Sequence, residues 1–149
     1  MATLLAQPDL TTLDGRRDAV LLSVLYDTGA RVQELIDLTV GDLRLTEPAQ
    51  VRILGKGTKV RVVPLMQNTV AFLQSYLQEN QLTTPDKFTH PLFTNHHGQS
   101  LSRSGVRYIF QKYVQQIRQQ HPEFNQSISP HSMRHTKGMH LLQGGVSLD

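Results

Sequence analysis

Three short groups of residues in this sequence have the types and spacing to act on an anion. His131, Arg134 and His135 stand at i, i+3 and i+4 in a stretch opened by Ser129-Pro130, so on a helix their side chains share one face of its first turns. A helix start presents unpaired backbone N–H groups and the positive end of the dipole, and an arginine added there strengthens a phosphate site. The planar fork of Arg134 suits two phosphate oxygens. Arg31 follows Thr28-Gly29-Ala30 and precedes Glu34 and Leu35, which puts it at the first turn of a short helix just past a glycine bend. Lys56 lies between Gly55 and Gly57, small residues that let a turn enter a groove and bring an ammonium close to a bound backbone.

Each group also has a plainer reading. The His-x-x-Arg residues could be solvated surface groups, Arg31 could pair with Glu34 across one helical turn, and Lys56 could be a turn lysine in water. A zinc ion on His131 and His135 would lack the glutamate of the metalloprotease motif and an evident third ligand. A nucleotide-binding phosphate loop at residues 55–59 fails, because no glycine stands five residues before Gly55 and no helix is expected after Thr58. Spacing alone leaves phosphate binding and surface charge both open.

The elements that must position these groups follow from periodicity. Leu10, Leu13, Val20, Leu21, Val24 and Leu25 predict a helix over residues 10–26 with a buried face, stopped by Thr28-Gly29. Val32, Leu35 and Ile36 predict a second, short helix. Val51 and Ile53 alternate with polar neighbours and residues 60–63 are rich in β-branched valine, which predicts a hairpin with the basic tip of residues 55–59 between its strands. Val70, Leu73 and Leu77, with Phe72 and Tyr76, mark a third helix, and the polar, proline-punctuated residues 80–91 a surface connection. Ser102 caps a fourth helix with apolar positions Val106, Ile109, Phe110, Tyr113, Val114 and Ile117. Ser129 and Pro130 open a last helix through His131 to Gln143, ended by Gly144-Gly145.

Composition sets the bounds. A chain of 149 residues, 38% hydrophobic and 18% charged, fits one compact domain over residues 1–149 and excludes disorder or a fibrous repeat. With no cysteine, thiolate zinc sites, disulfides and a cysteine nucleophile are excluded. No signal-like segment opens the sequence and no run is long and apolar enough to cross a bilayer, so the expected location is intracellular and cytoplasmic. The net charge of +3 suits an anionic partner without identifying one.

The order of the three groups adds a resemblance. Leu25-Tyr26-Asp27-Thr28-Gly29-Ala30-Arg31-Val32-Gln33-Glu34-Leu35 resembles the first arginine box of the tyrosine recombinases, the phage-integrase family. Ser129-Pro130-His131-Ser132-Met133-Arg134-His135-Thr136 is similar to their His-x-x-Arg box, and Leu54-Gly55-Lys56-Gly57-Thr58-Lys59-Val60-Arg61-Val62-Val63-Pro64-Leu65 to the hairpin that carries their catalytic lysine. The likeness runs from about Arg16 to Gly145, and the stretch from Met133 to Leu142 is like a variant of transposon-type members.

The resemblance implies a mainly α-helical α+β catalytic domain with a small antiparallel β-sheet. It implies site-specific DNA recombination, in which a tyrosine attacks a phosphodiester, forms a 3′-phosphotyrosyl link and is displaced by a 5′-hydroxyl. Energy is kept in the covalent bond, so no cofactor is expected. Arg31 and Arg134 would stabilise charge on the non-bridging oxygens in place of a metal ion. Lys56 would protonate the departing 5′-oxygen, and His131 would hold the phosphate and assist proton transfer. Lys59, Arg61, Arg103 and Arg107 are candidates for phosphate contact around the site. The implied partners are duplex DNA and further copies, assembled as a tetramer.

One departure stands out. The family pattern places a further His or Trp and then the attacking tyrosine beyond the second arginine, whereas Tyr26, Tyr76, Tyr108 and Tyr113 all precede it and the sequence given stops at Asp149. The nucleophile is therefore expected outside these residues, as is the amino-terminal DNA-clamping domain, and this polypeptide alone is expected not to cleave. A non-catalytic DNA-binding remnant and a helical protein-interaction domain are the alternatives.

Overall fold

The computed structural model describes residues 4–121, with Thr58 described by its backbone alone. The helix expected from His131 to Gln143 lies outside these residues. Helix α1 (Leu13–Thr28) starts where the Thr12 hydroxyl accepts the Gly15 N–H at 3.0 Å. It stops where Gly29 takes a left-handed φ of 62° and donates its N–H to Leu25 O. Every residue from Asp18 to Leu25 is buried, so α1 is a central helix covered all round.

The expected start of α1 was too early. Leu10 and Leu13 are 51% and 63% exposed rather than part of the buried face. Residues 9–12 instead form a turn, with Thr12 N–H donating to Asp9 O and the Asp9 carboxylate accepting from the Thr11 N–H and hydroxyl. A side chain that bonds its own backbone neighbours competes with helix, and here it wins.

After α1 come helix α2 (Val32–Ile36), strand β1 (Leu43–Arg44) and the hairpin of β2 (Gln50–Leu54) and β3 (Val60–Pro64). The sheet is antiparallel in the order β1-β2-β3. Strand β1 was not read from the sequence, because two residues carry no period. Val51 and Ile53 face the core, as their alternation required, whereas Val60 and Val62 of β3 are about half exposed on the outer face.

Helix α3 (Gln67–Glu79) buries Leu73, Tyr76 and Leu77, and helix α4 (Arg103–Gln120) buries all six of its expected apolar positions. The Ser102 hydroxyl caps α4 by accepting the Gly105 N–H at 3.0 Å. Residues 80–91 stay at the surface except for Leu82, which is buried, whereas Leu92, Phe93 and Leu101 further along the connection to α4 enter the core. Leu21, Leu22 and Leu25 of α1 meet Ile53, Leu73, Phe93 and Phe110 in one core. No helix among the described residues is long and apolar enough to cross a membrane.

One buried charge ties the first helix to the last described one. Asp18 is fully buried and accepts from Arg17 Nη2 at 2.9 Å, Lys112 Nζ at 3.1 Å and the Tyr113 hydroxyl. Lys112 also lies 4.8 Å above the Tyr113 ring. Burial, and then the hydrogen bond to Asp18, push the Tyr113 hydroxyl well above the ordinary tyrosine range.

Candidate functional site

The turn between α1 and α2 sets Arg31. Thr28 Oγ1 donates to Val24 O and accepts from Ala30 N–H, Gly29 bends the chain, and Ala30 is buried, which delivers Arg31 to the surface as the N-cap of α2. An arginine has no acceptor with which to cap its own helix. Glu34 makes the reciprocal bond of a capping box, its Oε1 accepting the Arg31 N–H at 2.9 Å. Leu35 and Ile36 are buried and pin α2 to the core.

Glu34 then reaches across to the hairpin. Arg61 Nη2 donates to its Oε1 at 2.9 Å and Arg61 Nη1 to its Oε2 at 3.1 Å, a two-pronged pair in which the glutamate side chain is only 10% exposed. The guanidinium holds the Glu34 carboxyl below its ordinary value, burial opposing and the Arg31 N–H assisting. The expected alternative, a side-chain pair between Arg31 and Glu34, is replaced by this contact with a residue of β3.

The hairpin tip runs beside the pair. A Cβ on Gly55 would lie 3.2 Å from Glu34 Oε2 and 3.7 Å from Arg61 Nη1. Gly55 N–H donates to Lys59 O at 2.7 Å, and Gly57 takes a left-handed φ of 72°, so the tip closes as a tight turn with Lys56 and Lys59 exposed on it. Arg31, Glu34, Arg61 and the turn carrying Lys56 are thus one connected unit.

Helix α4 joins from the other side. Arg103 Nε donates to Gln33 Oε1 at 2.9 Å, and Arg107 is exposed one turn further along. Among the described residues, no carboxylate forms an ion pair with Arg31, Lys56, Lys59, Arg103 or Arg107. Exposed cations without an ion-pair partner among the described residues make a local positive potential suited to an anion, with the Glu34 carboxylate acting on Arg31 only at longer range. His131 and Arg134, and His135 of the zinc alternative, lie outside the described residues.

Two of the four tyrosines are committed to buried acceptors. Tyr76 donates its hydroxyl to Leu92 O at 2.7 Å and burial pushes its pKa up to about 12. Tyr113 is committed to Asp18, Tyr26 is half-buried, and Tyr108 is exposed on α4. Sequence reasoning missed Glu34 as the hub of the site, although its place three residues after Arg31 is a helix-start signature. It also missed Gln33, for which no signal exists.

The model of the Phage integrase family matches residues 2–149. The chain belongs to the phage integrase family. Among this chain's curated relatives is the tyrosine recombinase XerD of Staphylococcus epidermidis, 39% identical over 146 residues that cover 97% of this chain and 48% of the relative. The crystal structure of XerA recombinase superposes with a TM-score of 0.72 at 26% identity, over 97% of this chain and 48% of that one. XerH recombinase bound to difH substrate before cleavage has the same fold, with a TM-score of 0.70 at 23% identity over 95% of this chain and 40% of that one. The chain spans about half the length of the curated relatives it matches. Its mainly helical α+β architecture with a small antiparallel sheet is the one its sequence led us to expect.

Proposed function

We propose that this chain is the phosphate-activating part of a tyrosine site-specific recombinase that cleaves and rejoins duplex DNA through a 3′-phosphotyrosyl intermediate. The observation that carries the reading is that Arg31 and the Lys56 turn are linked through one carboxylate, with both cations lacking an ion-pair partner among the described residues. A recombinase needs such groups around one phosphate, where charge grows on the non-bridging oxygens as the bond to the leaving oxygen breaks. The names of the relatives, tyrosine recombinases and a recombinase bound to DNA, support the same reading.

In this reading Arg31 and Arg134 neutralise the non-bridging oxygens, Lys56 donates a proton to the departing 5′-oxygen, and His131 holds the phosphate. Lys59, Arg103 and Arg107 flank the site as contacts to the backbone of the duplex. The nucleophile is none of this chain's own tyrosines. Tyr76 and Tyr113 spend their hydroxyls on buried acceptors, which supports that exclusion. Residues 1–149 act as one catalytic-type domain, and the working assembly is a tetramer on DNA inside the cell.

Duplex binding tests the reading directly. The chain should bind a short duplex with an affinity that falls steeply as salt rises, because phosphate contacts release counterions. The Arg31→Ala, Arg134→Ala double variant should lower the salt slope by about two units. A variant that binds with the wild-type slope would remove the phosphate role.

A further inference from the structure

We propose that Arg61 is a positioning residue: through the Glu34 carboxylate it holds the hairpin tip bearing Lys56 against the turn bearing Arg31, and it does not touch the DNA backbone. The inference rests on the reading of Arg31 and Lys56 as phosphate-facing groups, and it removes Arg61 from the phosphate contacts expected from sequence.

The geometry points this way at each step. Arg61 lies opposite Ile53 in the β2–β3 register, on the face that carries the buried Ile53, whereas Val60 and Val62 occupy the outer face. Both of its Nη atoms are bonded to the two oxygens of one carboxylate. Turning the fork toward a phosphate would leave Glu34, nine-tenths covered, as a charge stripped of its cation, which is costly. Lys56 and Lys59 flank the same turn without that commitment. Glu34 Oε1 also accepts the Arg31 N–H, and Gly55 packs alongside Oε2, so one carboxylate sets where the two proposed site residues stand relative to each other.

The pair is a two-pronged one, so a lysine cannot replace the arginine. An ammonium keeps the charge but cannot span both oxygens in the plane of the carboxylate. A phosphate contact made through charge alone would tolerate Arg61→Lys, and the two-pronged positioning role would not.

Two measurements on the full chain separate the possibilities. In the free protein, Arg61→Gln should shift the backbone amide resonance of Arg31, and Glu34→Gln those of Gly55 and Lys56, with the amides of Ile109 and Phe110 in the core unmoved. On a short duplex of arbitrary sequence, Arg61→Gln and Arg61→Lys should each weaken binding roughly three- to tenfold while leaving the salt slope unchanged, and adding Glu34→Gln should cost nothing more. Lys56→Gln should lower the slope by about one unit. The proposal is overturned if Arg61→Gln lowers the slope by about one, if its loss adds to that of Glu34→Gln, if Arg61→Lys binds as wild type, or if the cross-element amide shifts are absent. An unchanged slope for Lys56→Gln would sink the phosphate reading of the site instead, and the amide shifts in free protein would still decide the clamp.

Discussion

Glu34 gathers three donors on one carboxylate: two from the Arg61 fork and one from the Arg31 backbone. Its folded-state pKa lies below its unfolded value, so the contribution of these bonds is complete above the ordinary carboxylate range and is lost as pH falls through the lowered value. Thermal unfolding of wild type and Glu34→Gln should therefore differ at neutral pH and converge in acid. A gap that widens in acid would contradict the assignment. Lys56 belongs to the same scale. In a protein of the relatives' full length with this chain as its catalytic part, Lys56→Ala should slow strand cleavage ~100-fold to ~1000-fold, the usual cost of removing one transition-state donor. Duplex binding should fall far less, and equal losses in both assays would exclude the role of proton donor.

Helix α2 is too short to hold itself, because a few hydrogen bonds cannot offset the entropy of fixing its residues. Its caps and its two buried side chains hold it, and Gly29 sets its direction from a left-handed conformation that a Cβ disfavours. Gly29→Ala should cost about 1–2 kcal/mol, measured by denaturant unfolding. It should also move Arg31, so duplex affinity should drop more than for Ser102→Ala, which removes a cap from α4 at a similar cost of about 1 kcal/mol. Equal affinity losses would mean that the bend at Gly29 does not position the arginine. The hairpin shows the complementary limit: alternation placed Val51 and Ile53 in the core, while the half-exposed Val60 and Val62 follow a strand preference that is silent about which face is covered.

The whole molecule is closed by Asp18, which draws Arg17, Lys112 and Tyr113 onto a fully buried carboxylate between α1 and α4. Removing one partner of such a cluster strands the others. Asp18→Ala should cost ~3–5 kcal/mol and Tyr113→Phe only about 1–2 kcal/mol, because the phenylalanine leaves the carboxylate its two cations. Chemical denaturation of the two variants gives both figures. A Tyr113→Phe loss as large as that of Asp18→Ala would show that the hydroxyl, and not the ion pairs, holds the two helices together.

Much of this arrangement was legible in the order of residues. The cap and apolar stripe of α4, the glycine stop of α1, the hairpin around residues 55–59 and the place of Arg31 at a helix start all depend on neighbours within a turn or two, which is the range over which backbone geometry repeats. The first turn before α1 was misread because Asp9 offers its backbone a local alternative that a count of leucines does not register. What only the tertiary structure decided are the contacts made after the chain returns: Arg61 on Glu34 across 27 residues and Tyr113 on Asp18 across 95. Spacing encodes no such return. The same arginine is a free cation or half of a two-pronged ion pair according to what packing brings against it, and folding of the whole chain settles which.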